Sequence, residues 1–577
     1  MQSQLSPRAL PKPTMLEWLC LAGGLLLVMR YAWLLDDAFV FFRYVDNLLF
    51  LDRGLVFNEG EYVEGFSSPL WALVLVPLRA TGMNWWWIVR LLGVVSFVGF
   101  WLLMLSLRGA TVERAQPSLN FPLLYLAFLY GPLCYFTSGM ETGWVQLLAV
   151  AYAVHIFRPG LLAPQILVGL SPMVRHELAL AFLAVLAWDW WRERRFPFTT
   201  ALVGVGVGGA YLLFRVWYYA DLFPNTFYLK DGTYFSWGLA YLHDTLVVYG
   251  VYVLAPVLLI LALLLQRRGT DVAIGQRLLL LAIAAMVGAY VIKIGGDGRH
   301  YRYLAFPFCL AVCASAGLPE RALATFAPGF RSAGVTAVGL VLALVFASFH
   351  PRQLSAHPLS GDVQEQRVGV IRDAQFHRDL KALSFSPWGS GREMEYLDRK
   401  RSQRLYEVNG WPPPEGRVWL REAYARHRAD APLTRPSVTG FDSWCVRIWQ
   451  LFSLRVIHGD GLTDPILART RATPWRPGHF KDTEFLAAHL ASIQTKYGWG
   501  RGIYRRAVED GVAHPWIARN LESIEQIERK VYNRHDLIEN LVLALTPIPR
   551  MEPPPQGNPK DAPAGQNPTA LSPQANP

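Results

Sequence analysis

The feature that most constrains this chain is a succession of long apolar runs that fills the first 350 residues and then stops. Clear runs lie at 15–35, 86–107, 120–137, 143–158, 197–218, 248–265, 278–294, 302–318 and 332–350, with two shorter ones at 161–172 and 178–190. A bilayer-crossing helix takes about 20 mostly apolar residues, within a range near 17–25. In hydrocarbon, backbone N–H and C=O groups must be satisfied inside the segment, which leaves helices for runs of this kind. The expected fold is therefore a polytopic α-helical membrane protein with about eleven transmembrane helices. Composition agrees, with 17% charged residues against roughly 25% in soluble domains. Pro69 to Leu78 is apolar but too short to cross alone, and is expected at the interface or as a re-entrant piece.

Basic residues favour the cytoplasmic side of membrane proteins. Arg8 and Lys12 place the N-terminus inside, and Arg108 with Arg114, Arg192 to Arg195, and Arg267 to Arg277 mark further inside loops. Alternation then puts 36–68, 138–142, 219–247 and 295–301 outside, together with Arg175 to Glu177 if 161–172 crosses. The last span delivers the polar C-terminal part to that same outer side. Three domains are expected: a membrane part at 1–350, a soluble extracytoplasmic domain at 351–550, and a Pro-rich tail at 551–577. The tail has no periodic apolar face to offset its ordering entropy, so disorder is expected there. Within the soluble part, Phe485 to Ile493 and Ile503 to Val508 have helical pattern, and Tyr406 to Pro414 reads as loop.

The net charge of +11 does not indicate nucleic acid, because the basic residues sit between apolar runs and no zinc-finger spacing or aromatic–basic repeat accompanies them. Four of the five cysteines lie in apolar runs, which argues against a disulfide framework or a cysteine-rich metal site. Ser3 to Lys12 followed by Trp18 to Leu35 has the outline of a signal peptide but lacks a small-residue cleavage site, so an uncleaved first helix is expected. No H-E-x-x-H, G-x-S-x-G or phosphate-binding G-x-x-x-x-G-K-[ST] pattern is present, which argues against direct ATP hydrolysis.

The charged motifs gather at the predicted outer ends. Asp36 and Asp37 open the first outer loop. Adjacent carboxylates do not share a helix face, so each can take a different task, or the pair simply ends the first helix on the wet side. Arg43 and Asp46 follow at a spacing that places both on one helix face. Glu64 sits in the glycine-punctuated stretch EGFSSPL, which suits either a sugar pocket or a connector. Asn225 and Lys230 stand among three aromatics in LFPNTFYLK, as interfacial anchors or as partners of a sugar phosphate. GGDGRHYRY at 295–303 carries Asp297, Arg299, His300 and Arg302, with Lys293 just before it. Two guanidiniums at a membrane surface suit a lipid phosphate, whether as substrate or as headgroup anchor. Glu141, and Arg175 with His176 and Glu177, add two further charged clusters.

At the Asp36–Asp37 loop the sequence resembles membrane glycosyltransferases of the GT-C fold, and among them the mycobacterial-type terminal beta-(1→2) arabinofuranosyltransferases. The stretch from Asp36 to Leu70 carries most of the resemblance, and LFPNTFYLK and GGDGRHYRY follow in order. VIHGDGLTDPILAR at 456–469 and RPGHF at 476–480 are also similar to that family. The resemblance implies transfer of a sugar, arabinofuranose by analogy, from a polyprenyl phosphate to an envelope glycan or glycoconjugate outside a bacterial cytoplasmic membrane. It implies Asp36 and Asp37 as catalytic residues, with Asp297 and Arg299 as the next site candidates and His458, Asp460, Asp464 and His479 toward acceptor or domain contacts. Together with the residue readings above, Arg43, Lys230, Lys293, His300 and Arg302 join Asp297 and Arg299 toward the donor and its phosphate, and Glu64, Glu141, Arg175, His176, Glu177 and Asn225 are candidates for acceptor or support contacts. Expected partners are the lipid-linked sugar, the glycan acceptor and membrane lipids. No cofactor is expected beyond the lipid-linked donor, with a divalent cation left open and no metal ligands assigned. A lipid-linked sugar transporter and a glycan-binding envelope protein without chemistry are the alternatives. Charges at span ends, rather than along a midplane route, favour the enzyme over the transporter.

Overall fold

The computed structural model describes residues 11–35, 37–112, 118–194, 196–230, 232–268, 273–297, 299–327, 332–348, 439–442, 455–459, 461–471 and 483–553. Asp36, Asp460, His479, the 406–414 loop and the tail beyond 553 lie outside the described residues. The first helices are α1 (Met15–Arg30), α2 (Ala38–Phe50), α3 (Pro69–Ala80), α4 (Trp85–Thr111), α5 (Phe121–Leu126) and α6 (Tyr130–Cys134). Then come α7 (Thr142–Phe157), α8 (Leu162–Val174), α9 (Leu178–Glu193), α10 (Phe198–Tyr219), α11 (Asn225–Leu229) and α12 (Phe235–Val248). α13 (Val251–Arg267), α14 (Ile274–Lys293), α15 (Ala305–Cys313), α16 (Leu318–Phe326) and α17 (Ser332–Ser348) complete the apolar part. The C-terminal part holds strands β1 (Thr439–Asp442) and β2 (Arg455–His458), then α18 (Pro465–Ala468), α19 (Glu484–Tyr497), α20 (Ile503–Glu509), α21 (Pro515–Arg519), α22 (Leu521–Val531) and α23 (Leu537–Leu545). Two compact units divide these elements, one from 1–34, 89–209 and 233–378, the other from 35–88, 210–232 and 379–577.

In the first unit, helices stand where hydropathy placed them, but their lengths divide them into two kinds. Four stretches are long and apolar enough to cross a bilayer: Trp85–Thr111, Phe198–Tyr219, Ile274–Lys293 and Arg302–Phe326. α12 and α13 together make a fifth, bent by 74° at the break between them. Gly250 occupies that break at φ +65°, a conformation glycine adopts at little steric cost. Against the expectation of about eleven, the chain is a polytopic helical membrane protein with four or five spans of full length among its described residues. Several of the other runs form shorter helices. α7 has 16 residues, about 24 Å at 1.5 Å per residue, less than the hydrocarbon thickness of about 30 Å. Almost all of its side chains are buried, as in a helix apolar on every face and wrapped by protein.

The run 120–137 is not one helix. It divides into α5, α6 and a short 3-10 turn at Tyr135–Thr137. The break at Ala127 to Leu129 centres on Phe128, four residues before Pro132 in the first turn of α6. Pro132 has no N–H to give the carbonyl of Phe128 and so interrupts a continuous helix there. The start of α1 has a capping box, in which Thr14 Oγ1 accepts from Glu17 N and Glu17 Oε2 accepts from Thr14 N. Glu17 is also tied to Arg108 Nε at 2.9 Å and to Asn120 Nδ2 at 2.7 Å, so the charge is buried with partners. α13 and α17 turn apolar side chains outward, with Val253 73% and Leu344 75% exposed. Contiguous apolar surface of this kind fits lipid contact.

In the second unit α2 is buried from Ala38 through Asn47. Phe42 stacks on Trp85 at 4.1 Å. Asp46 accepts from Arg79 Nε at 2.8 Å and Trp85 Nε1 at 3.0 Å. Farther along the chain, β1 and β2 pair in parallel, Thr439 opposite Arg455 and Asp442 opposite His458. The core of the C-terminal part is built from Ile457, Leu467, Leu486, Leu490, Trp516, Ile524 and Ile527, joined by Val63 from the first loop. α19 and α20 lie where the sequence shows helical pattern.

Glu528, on α22, is buried inside this part. Its Oε2 accepts from Gly502 N at 2.9 Å, while Oε1 has no hydrogen-bond partner among the described residues. Burial pushes its carboxyl up to about 7 from an ordinary value of 4.5. A carboxyl whose folded value lies above its unfolded value stabilises the fold below the unfolded value and loses that contribution as pH rises through the folded one. The contribution is thus full below about pH 4.5 and gone above about pH 7. Glu528→Gln carries no such titration, so its stability relative to the parent should grow by about 2 kcal/mol between roughly pH 5 and pH 8. Denaturant unfolding of both proteins at the two pH values checks this, and a constant difference would remove Glu528 as the cause.

Candidate active site

In the first unit the fold brings together three charged motifs that are far apart in the chain. Glu141 precedes α7, Arg175 closes α8, and Glu177 precedes α9, so three helix ends meet. Arg175 lies between the two acids, with Nη1 3.0 Å from Glu141 Oε1 and Nη2 2.6 Å from Glu177 Oε1. Its guanidinium also covers the Tyr303 ring at 4.6 Å from the centroid. Arg302 approaches the same ring at 5.6 Å. It pairs with Asp297 at 3.4 Å. The result is one connected series, Glu141 and Glu177, then Arg175, Tyr303, Arg302 and Asp297. Glu141 is fully buried, and its Oε2 has no hydrogen-bond partner among the described residues. A buried carboxylate oxygen without a donor is costly, and a ligand hydroxyl would satisfy it.

The loop that carries Asp297 is held from behind. Gly295 and Gly296 both take positive φ, and a Cβ at Gly296 would lie 2.5 Å from Tyr241 Cγ. The glycines there are thus required by conformation and by space. Tyr301 takes φ +70°, uncommon for a residue with a side chain. Tyr241 Oη donates to Arg299 O at 2.9 Å and accepts from Tyr303 N at 3.2 Å. His300 is fixed on both ring nitrogens, with Nδ1 2.8 Å from Asp244 and Nε2 3.1 Å from Tyr249 Oη. His300, expected at the donor phosphate, is therefore engaged in supporting the loop. Lys293 is exposed at the end of α14, while Arg299 and His176 are half-buried.

In the second unit Asp37 stands at the start of α2, half-buried, and its side chain makes no capping hydrogen bond. The first helix already ends at Arg30, so Asp37 begins α2 rather than ending α1. Arg43 is completely buried and Nε donates to Phe57 O at 2.8 Å. Asn47 Nδ2 donates to Val56 O and Phe57 O. Both residues fasten the 54–58 loop, which places Arg43 in a supporting position. Lys230, half-buried, follows α11.

A narrow cleft lies in this unit, lined by Tyr62, Glu64, Tyr219, Asp221, Phe223, Asn225, Arg469 and Lys530, among others. Glu64 is held by the Arg215 guanidinium and by Tyr211 Oη at 2.9 Å. Asp221 accepts from Arg469 Nη2 at 2.5 Å and Tyr228 Oη at 2.6 Å. Lys530 is buried and stands 3.9 Å from Asp221. Burial lowers the ammonium below its ordinary value, and Asp221 opposes that shift. Asn225 Nδ2 faces three carbonyls, of Gly461, Leu462 and Asp464, each at 3.1 Å. Asp464 in turn caps α18 by accepting from Ile466 N and Leu467 N. Its carboxyl is pushed up to about 6 by burial. His458 is buried on β2.

Among the described residues, no group of three or more His, Cys, Asp and Glu side chains is gathered to hold a metal ion. Sequence reasoning missed Asp244, Tyr303, Asp221, Arg469 and Lys530. Asp244 had a signal, because an acid inside an apolar helix is a functional or structural marker by default. Asp221 directly precedes LFPNTFYLK and Arg469 ends VIHGDGLTDPILAR, so both lay at the edges of recognised motifs. Lys530 had no such signal.

The chain is homologous to two proteins named terminal beta-(1->2)-arabinofuranosyltransferase. With the one from Mycobacterium tuberculosis it shares 30% identity over 332 residues, 48% of this chain and 51% of the relative. That match thus spans about half the relative's length. With the one from Corynebacterium glutamicum it shares 26% identity over 608 aligned residues, 93% of this chain and 85% of the relative. No protein-family model matches the chain, and no solved structure matches it.

Proposed function

We propose that this homologue of terminal arabinofuranosyltransferases is itself a glycosyltransferase, moving arabinofuranose from a polyprenyl-phosphate donor to an envelope glycan or glycoconjugate outside a bacterial cytoplasmic membrane. The observation that carries the reading is similarity along 93% of the chain to a relative of that name. In the reaction the bond from the anomeric carbon to the lipid phosphate oxygen breaks as a bond from the acceptor oxygen forms. Asp37 or Asp36 takes the acceptor proton, which requires approach to about 2.6–3.2 Å. Arg302 and Arg299 meet the charge that develops on the leaving phosphate, with Lys293 reaching the same surface. Arg175, Glu177, Tyr303 and Asp297 hold that guanidinium series in place, and Glu141 Oε2 receives a sugar hydroxyl. The Glu64–Asp221–Lys530 cleft receives the acceptor glycan, and the C-terminal part belongs to the outer aqueous side. Phe223, 45% exposed at the cleft wall, offers an apolar ring to a sugar face.

One observation favours a second reading. The break between α12 and α13 resembles the interrupted helices that line transporter sites. A flippase needs two compartments, whereas a transferase does not. Purified protein in detergent, given polyprenyl-phospho-arabinofuranose and an arabinan oligosaccharide, should therefore consume the donor and extend the oligosaccharide by one pentose. Mass spectrometry of envelope glycans should show that pentose missing in cells without the gene. An unconsumed donor together with unchanged glycans would overturn the enzyme reading.

A further inference from the structure

α23 has a face that water does not explain. Asp536 caps it by accepting from Glu539 N at 2.7 Å. Behind that cap Leu537, Ile538, Leu541, Val542 and Leu545 are 44–77% exposed, with Ile538 the most open. These positions repeat at helical spacing and form one apolar stripe. The opposite side of the helix is anchored. Asn540 is fully buried and its Nδ2 donates to Trp217 O at 2.7 Å and to Asn533 Oδ1 at 2.9 Å. Asn533 donates to Tyr218 O at 3.2 Å, and the His535 ring stacks on Tyr218 at 5.0 Å. α23 is thus fastened to the last turn of α10, one of the stretches long and apolar enough to cross a bilayer. On the surface of α10 leading into that turn, Leu213 is 64% and Trp217 41% exposed. The stripe therefore continues an existing lipid-facing surface, at the level where an interfacial tryptophan belongs.

We infer that α23 is an interfacial helix whose Leu537–Ile538–Leu541–Val542–Leu545 face dips into the bilayer where α10 leaves it. The occupant of the face is the lipid surface itself. The C-terminal part is thereby held to the membrane at its far end, independently of whichever reaction the chain performs. Charge is consistent with this placement: Glu539 is the single charged residue in the helix and points to solvent.

Site-directed spin labelling tests the inference in the full chain reconstituted in phosphatidylcholine nanodiscs. Ile538→Cys and Glu539→Cys are each labelled after Cys445→Ser, because Cys20, Cys134, Cys309 and Cys313 are buried. Collision with oxygen and with a water-soluble nickel complex should place the label at 538 roughly 5–10 Å below the headgroups and the label at 539 in water. Both substitutions fall on exposed positions, so neither removes a core contact. Water-like accessibility at both positions would overturn the inference. So would dipolar coupling between labels on two copies, with neither reagent reaching position 538, because that result assigns the face to a second chain.

Discussion

Replacing Asp37 by Asn is expected to lower sugar transfer by roughly 10²–10⁴-fold, the contribution typical of a positioned general base. The amide keeps the shape of the side chain and removes its capacity to accept the acceptor's proton. Asp37 makes no capping hydrogen bond to α2, so the usual stability loss of about 1 kcal/mol for removing a cap does not apply. Activity should therefore fall without the stability loss that removing a helix cap brings. Asp36→Asn, assayed beside it with the same lipid-linked donor, decides which of the two carboxylates acts as base. Full activity in both folded variants would end the assignment.

Arg175→Met should destabilise the protein by about 3–5 kcal/mol, the cost of leaving a buried charge without its partner. Here one guanidinium serves two acids, Glu141 at 3.0 Å and Glu177 at 2.6 Å, and covers Tyr303 as well. Lysine at the position restores the charge but not the fork that reaches both acids, so Arg175→Lys should recover only part of the loss. Adding Glu141→Gln to Arg175→Met removes one of the stranded charges and should return some stability, a coupling that a double-mutant cycle measures. Unfolding in detergent gives the values. An unchanged midpoint for Arg175→Met would show that the two acids are not held by this residue.

The two experiments separate roles that sequence left joined. By residue pattern alone Asp37 and Arg175 are both charged residues at predicted outer helix ends, and only the resemblance ranks Asp37 as catalytic and Arg175 as an acceptor or support contact. The difference lies in their contacts. Arg175 is spent on its own acids and an aromatic ring, while Asp37 stands half-buried at the start of α2 with no side-chain capping bond. Arg43 shows the same point from the other direction. From sequence it shares a helix face with Asp46 and stands among the donor-side candidates; in the fold it is completely buried and holds Phe57 O.

Hydropathy and charge placement determined where the helices fall and which motifs stand at their ends, because both are local properties of a segment that must satisfy its own backbone in hydrocarbon. The motifs at 138–142, 175–177 and 295–303 were legible for that reason. Their joining was not. Glu141 meets Arg175 across 34 positions, His300 meets Asp244 across 56, and Glu64 meets Arg215 across 151. Such pairings follow from how helices pack after the chain has closed long loops, and no periodicity within a segment encodes them. The same holds for the exposed stripe of α23. The apolar pattern is in the sequence, but only the anchoring of Asn540 to Trp217 O decides which side is buried and which is left for lipid.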